Sequence, residues 1–276
     1  GYGEFRERYR NRRNVVYVGS NGGMLHAFNA GFYDAETDSF SLQGSRSEVP
    51  HPLGGEIWSF VPYELLPHLP WLVSEDYAHV PYVDGKARVF DARIFDSSDV
   101  HPNGWGTVLV VGLRFGGGEI TLPASSNAAA FNGFSENGDI TTRPSYIVLD
   151  VTDPEREPTL LASISHPDMN FTMGLPAVVT AGNPGVAAGS ASGDNWYLVF
   201  GNGPESINAT LPNAQSGSFF VYDLNSLSFV PGWTPRVLND APNSFVGDPV
   251  VVDWDLNFKA DAIYFGSIGG SASAPN

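Results

Sequence analysis

The chain has 276 residues, among them 31 glycines, 21 prolines, 13% aromatic residues and no cysteine. Its 14 basic and 30 acidic side chains leave a net charge of −16, which repels a phosphate backbone and argues against nucleic acid as a partner. Without cysteine there is no disulfide framework, thiolate zinc site or thiol nucleophile. The longest apolar run, Val108–Leu113, is too short to be an integral membrane segment.

Residues 1–13 form a basic lead-in, with Arg6, Arg8, Arg10, Arg12 and Arg13 expected on a solvated face. No signal peptide opens the chain, and Gly1-Tyr2-Gly3 reads as an interior cut, so an upstream segment is expected to hold any targeting signal. Asn14–Ser20 and Met24–Phe28 are apolar runs around Asn21-Gly22-Gly23, a turn whose positive φ Asn and Gly tolerate; they predict a β-hairpin. Asp34, Glu36 and Asp38 alternate like a cation loop but lack a closing acid, and are expected in a solvated turn. Glu64–Val73, punctuated by Pro67 and Pro70, has room for one short helical turn.

The strand–glycine–strand unit returns. Thr107–Leu113 and Ser145–Val151 flank Gly116-Gly117-Gly118 and an insert, and Trp196–Phe200 and Ser218–Leu224 flank Gly201-Asn202-Gly203 and a shorter one. Ala262–Phe265 before Gly266 opens a fourth unit. The glycines at 19, 112, 201 and 266 are 93, 89 and 65 residues apart, about twice the ~40–50 residues of a propeller blade. A weaker blade is therefore expected between clear ones, with Val80–Phe95 around Asp84-Gly85 as one candidate. The inserts 119–144 and 183–195 read as surface loops. The pattern predicts an all-β fold, a β-propeller ahead of a two-sheet sandwich, as one domain over 1–276. Its last blade is expected to be incomplete, the chain being a fragment or its closing strand lying elsewhere.

Near the end, an apolar run enters and another leaves the nine-residue loop Asp253–Asp261. Ca²⁺ takes six to eight hard oxygen ligands, and a short loop supplies several from alternate positions plus a carbonyl. Asp253, Asp255 and Asn257 would give side-chain oxygens, Lys259 its carbonyl and Asp261 the closing carboxylate. Phe258 stands where such loops usually carry Gly. The alternative is an Asx-rich turn bonding its own backbone.

The six histidines (26, 51, 68, 79, 101 and 166) show no zinc spacing, and no G-x-S-x-G elbow occurs, so a hydrolase is unsupported. His51, His101 and His166 precede proline and read as loop residues, while His26 reads as a packed, hydrogen-bonded histidine. Asp150 and Asp153 read as strand-end caps. A quinoprotein-like oxidoreductase using Ca²⁺ and a quinone is the enzymatic alternative; Trp58, Trp105, Trp196 and Trp254 are its stacking candidates, but each is expected to pack between strands.

A resemblance joins these pieces. Val15–Phe28 (VVYVGSNGGMLHAF), Gly55–Pro62, Tyr82–Gly85, Trp105–Gly118, Tyr146–Pro154, Met173–Pro176, Trp196–Gly203 and Asp248–Gly269 follow in the order found in the PilC/PilY family of type IV pilus tip-associated proteins, whose C-terminal propeller the chain resembles. The resemblance implies a modified propeller of about seven blades with Ca²⁺ held by the Asp253–Asp261 loop. It implies export to the pilus tip and cell surface, without catalysis. The implied roles are pilus extension and retraction, adhesion and twitching motility. The implied partners are minor pilins, other tip proteins, and a host or abiotic surface. Asn21-Gly22 departs from the family's usual Asn-Asp.

Overall fold

The computed structural model describes residues 1–42, 51–123, 139–182, 194–207, 213–271 and 274–275, and in it every apolar run named above lies wholly or largely in antiparallel strands. Helix α1 (Tyr2–Tyr9) precedes them. The first sheet pairs β1 (Val15–Gly19) with β2 (Leu25–Asn29); beyond the small hairpin β3 (Phe32–Asp34) and β4 (Ser39–Ser41), β5 (Glu56–Phe60) completes the order β1-β2-β5. A 3₁₀ segment, Tyr63–Val73, longer than the short turn expected, leads to the second sheet. Its strands are β6 (Arg88–Arg93), β7 (Trp105–Gly112), then after the hairpin β8 (Ile120–Leu122) and β9 (Ile140–Thr142), β10 (Tyr146–Asp150) and β11 (Thr159–Ile164), ordered β11-β10-β7-β6. The third holds β12 (Ala177–Gly182), β13 (Asp194–Gly201), β14 (Ser218–Asp223), β15 (Ser228–Phe229) and β16 (Arg236–Val237), the last pairing β14. The remaining strands are β17 (Ser244–Val246), β18 (Val250–Val252), β19 (Ala262–Tyr264), β20 (Ser267–Ser271) and β21 (Ala274–Pro275).

The expected hairpin and both longer-range pairings are present: β1 on β2, β7 on β10, β13 on β14. One expectation is corrected. Val80–Phe95 is no separate blade, because β6 within it pairs along β7 and becomes the edge of the second sheet. In the fourth unit β19 pairs back on β18, the strand that enters the 253–261 loop, and β20 pairs β17. The insert 119–144 closes at its base through β8 and β9; its middle, 124–138, and most of the second insert, 183–193, lie outside the described residues.

Strands β7 and β10 are apolar at nearly every position because both faces are covered. Val108, Val110, Tyr146 and Val148 face the third sheet and join Leu198, Phe200 and Phe220 in one core. The alternate residues Leu109, Val111, Ile147 and Leu149 join Leu25, Leu65 and Tyr82 in another. Three sheets are thus layered through two cores. Period-two alternation, which would mark a one-sided sheet, is lost in the middle one.

The layers are stitched at equivalent points. Val83 N donates to Ser20 O (3.2 Å) and Val246 N to Asn202 O (3.1 Å), and Arg114 N donates to Thr172 Oγ1 (3.0 Å). Each joins a residue one or two positions past the end of β1, β7 or β13 to a segment within or just before a later sheet. Glycine permits the approach: a Cβ on Gly85 would lie 1.7 Å from Gly112 O. The Val83 and Arg114–Thr172 junctions border a cavity of about 690 Å³, lined among others by Tyr17, Asp84, Arg114, Met173 and Asp248.

In the basic lead-in Arg6, Arg8 and Arg10 are exposed, as expected, and Arg12 and Arg13 are the correction. Arg12 donates to Thr107 Oγ1 (2.8 Å) and Thr152 O (3.0 Å). Arg13 makes a two-bond pair with Glu155 (2.8 and 2.9 Å) and lies 4.9 Å from the centre of the Phe32 ring. Neither is on a solvated face; both fasten the chain start to the second sheet.

Candidate metal centre

The apolar triplets Val250–Val252 and Ala262–Tyr264 pair in register, Val250 with Tyr264 and Val252 with Ala262, and leave 253–261 as the connecting loop. Asp261 closes the loop's base: its N–H donates to Val252 O (3.0 Å) and its Oδ2 accepts from Trp254 N (2.7 Å). Asp253 accepts on both oxygens, from Asn257 N (3.1 Å) and Phe258 N (2.7 Å). Asp255 accepts from Asn257 N (3.2 Å) and Asn257 Nδ2 (2.8 Å). Lys259 N donates to Asn257 Oδ1 (2.8 Å).

The outcome is convergence. One carboxylate oxygen from each of Asp253, Asp255 and Asp261 lies within 4.8 Å of the other two. Asn257 is held among them by its side-chain and backbone bonds, and Lys259 enters the same turn through its N–H. Of the five sequence candidates the structure brings three carboxylates together; Asn257 and Lys259 lie in the same loop, and carboxylate, amide and carbonyl oxygens would be its donor set. Such hard donors suit Ca²⁺ and not a soft metal. Three carboxylates so close repel one another, and a divalent cation would relieve that.

Phe258 takes the left-handed backbone itself, φ 67°, and Leu256 does likewise at φ 57°. Bulky residues seldom adopt this region. Here the Asx-type bonds within the loop and a contact outside it hold the geometry. That contact is Thr180 on β12: its hydroxyl donates to Phe258 O and its carbonyl accepts from Ala260 N (3.0 Å). Sequence reasoning missed Thr180, which stands 78 positions before Phe258 and carries no local signal.

The other candidates resolve into structural roles. Asp34 accepts from Glu36 N (2.8 Å) in the exposed β3–β4 turn, as expected. His26 bridges Ser20 Oγ (3.1 Å) and Glu56 (2.8 Å), tying the first turn to β5. His101 stacks on Phe95 at 4.0 Å and meets Asp150 at 2.9 Å; Asp150 also accepts from Thr152 N (3.0 Å) past the end of β10. Burial lowers the pKa of His68, whose Nε2 lies 3.0 Å from Gly118 O. Trp58 packs on Tyr17, and Trp105 on Trp196. Trp254 does not pack; it is 68% exposed on the metal-candidate loop. None of the four tryptophans lines the 690 Å³ cavity.

No protein-family model matches the chain. Among curated proteins it is 29% identical over 281 residues to a type IV pilus biogenesis factor PilY1 homologue of Xylella fastidiosa, covering 95% of this chain and 17% of that protein. It is 26% identical over 275 residues to type IV pilus biogenesis factor PilY1 of Pseudomonas aeruginosa, covering 98% and 18%. The chain thus spans about a sixth of the length of these relatives. Among solved structures, the P. aeruginosa PilY1 C-terminal domain superposes with a TM-score of 0.55 at 24% identity, over 97% of this chain and 39% of that one. Over nearly its whole length the chain is therefore similar in sequence to the PilY1 pilus biogenesis factors, and in fold to the PilY1 C-terminal domain.

Proposed function

We propose that the chain is a Ca²⁺-binding, non-enzymatic propeller region of a type IV pilus biogenesis factor. The observation that carries the metal reading is the convergence of the Asp253, Asp255 and Asp261 carboxylates within 4.8 Å on a single loop. Asp253, Asp255, Asn257, the Lys259 carbonyl and Asp261 would hold the ion, which supplies charge neutralisation and no redox or hydrolytic step. The layered sheets, joined at like points, support a radial arrangement of blades. The similarity to PilY1 supports export to the pilus tip and cell surface, and a part in pilus extension and retraction, twitching motility and adhesion. Minor pilins, other tip proteins, and a host or abiotic surface are the partners this reading implies.

In physical terms the cation ties the strand entering the loop to the strand leaving it, and through Thr180 ties both to the third sheet. A ligand that binds only the folded state stabilises it by mass action, about 2.7 kcal/mol at a hundredfold excess over Kd. The test is thermal unfolding in excess Ca²⁺ and in chelator. A higher Tm in Ca²⁺, lost in Asp253→Ala, is expected. Superimposable melts of the unaltered chain would sink the metal reading.

A further inference from the structure

The charged residues lining the cavity of about 690 Å³ are two acids and two bases, Asp84, Asp248, Lys86 and Arg114. The walls that carry three of them are fixed by hydrogen bonds. Val83 N, beside Asp84, donates to Ser20 O (3.2 Å), Arg114 N to Thr172 Oγ1 (3.0 Å), and Leu175 N to Asp248 Oδ1 (2.8 Å). The charged ends, by contrast, are little used. Arg114 and Asp84 share one contact of 3.5 Å and keep 42% and 35% of their side-chain surface exposed. Among the described residues Lys86 has no hydrogen-bond or ion-pair partner, and Asp248 pairs with no cation. Arg114 also holds left-handed backbone, φ 54°, which a glycine there would adopt at lower cost. Strained backbone of this kind recurs at ligand clamps.

We propose that this cavity binds a small zwitterion, a free α-amino acid or a short peptide, with its carboxylate on Arg114 and Lys86 and its ammonium group on Asp248 and Asp84. Charge selects this class. The two acids and two bases of the lining cancel, although the chain as a whole carries −16. A simple anion would satisfy the bases but bring further negative charge to the acids, and a simple cation would do the reverse. One molecule carrying both charges satisfies both pairs. The Arg114 guanidinium offers a fork of donors that matches a carboxylate, and Asp248 keeps its second oxygen for an ammonium group. Size agrees, since pockets of about 300–1,000 Å³ hold small molecules. Val18, Met173 and Leu175 supply apolar lining for the uncharged part of the ligand. The site shares no residue with the 253–261 loop and does not depend on a metal there.

The test screens the whole chain by thermal shift against each standard amino acid and each glycyl dipeptide, then titrates the best of them by calorimetry. At least one is expected to bind. Acetylating its amino group or amidating its carboxylate is expected to weaken binding by about tenfold or more, the loss of one charge-assisted pairing. Asp248→Asn keeps an oxygen for Leu175 N and is expected to show the same loss with an unchanged Tm. Arg114→Gly is expected to lose binding by a similar factor while Tm stays or rises, since the left-handed strain leaves with the side chain. Failure of every amino acid and dipeptide to bind overturns the proposal. So does a ligand whose acetylated or amidated form binds as tightly as its parent, which would mark the cavity as a site for a simple anion or a simple cation. Binding that survives either variant places the ligand elsewhere and overturns it too.

Discussion

Phe258 shows how much one residue's backbone can say. A non-glycine residue in the left-handed region costs roughly 1–2 kcal/mol, and glycine's extra freedom in the unfolded chain offsets ~0.5–1 kcal/mol of the relief that replacing it would bring. Phe258→Gly is therefore expected to leave stability unchanged or raise it by up to about 1 kcal/mol in urea unfolding, with Ca²⁺ affinity kept. A large loss of stability would mean the exposed ring is packing after all. Arg13 is the opposite case. Its side chain is 1% exposed and that of its partner Glu155 11%, so removing one member strands a buried charge. Arg13→Ala is expected to cost about 3 kcal/mol in urea unfolding. The arginine-rich start looked solvated because charge runs usually are; that two of its members turn inward depends on Glu155, Thr107 and Thr152, far along the chain.

The β18–β19 hairpin illustrates the element scale. Three pairs of residues in two strands are marginal by themselves, so the loop they carry depends on an outside hold. Thr180 on β12 supplies it through its hydroxyl to Phe258 O and its carbonyl to Ala260 N. Thr180→Val keeps the β-branched shape and removes only the hydroxyl bond. The expected cost is about 1 kcal/mol in chemical denaturation, with weaker Ca²⁺ binding by calorimetry. An unchanged Ca²⁺ titration would show that the loop keeps its geometry without β12. The D-x-D-x-N spacing made the convergence of the Asp253, Asp255 and Asp261 carboxylates legible from local sequence. What clips that loop to the body was not legible.

For the molecule as a whole, the decisive feature is layering. The second sheet is covered by the first on one face and by the third on the other, and glycines let the layers meet at their stitched edges. Gly85→Ala would drive a methyl group to 1.7 Å from Gly112 O, a backbone atom with no room to yield. The expected loss is about 3 kcal/mol, read in urea unfolding, and a near-neutral outcome would mean the junction is looser than described.

Local chemistry alone determined the strand content, the Asn-Gly-Gly hairpin, the recurring strand–glycine–strand unit and the five candidate oxygen donors, because each rests on neighbours two to four positions apart. Only the tertiary structure decided that Val80–Phe95 joins an existing sheet, that β19 and β20 part company at Gly266, and that Trp254 faces solvent. Strand pairing is a choice among edges of similar propensity. That choice is settled by which faces can be buried together, and the order of residues along the chain does not encode it locally.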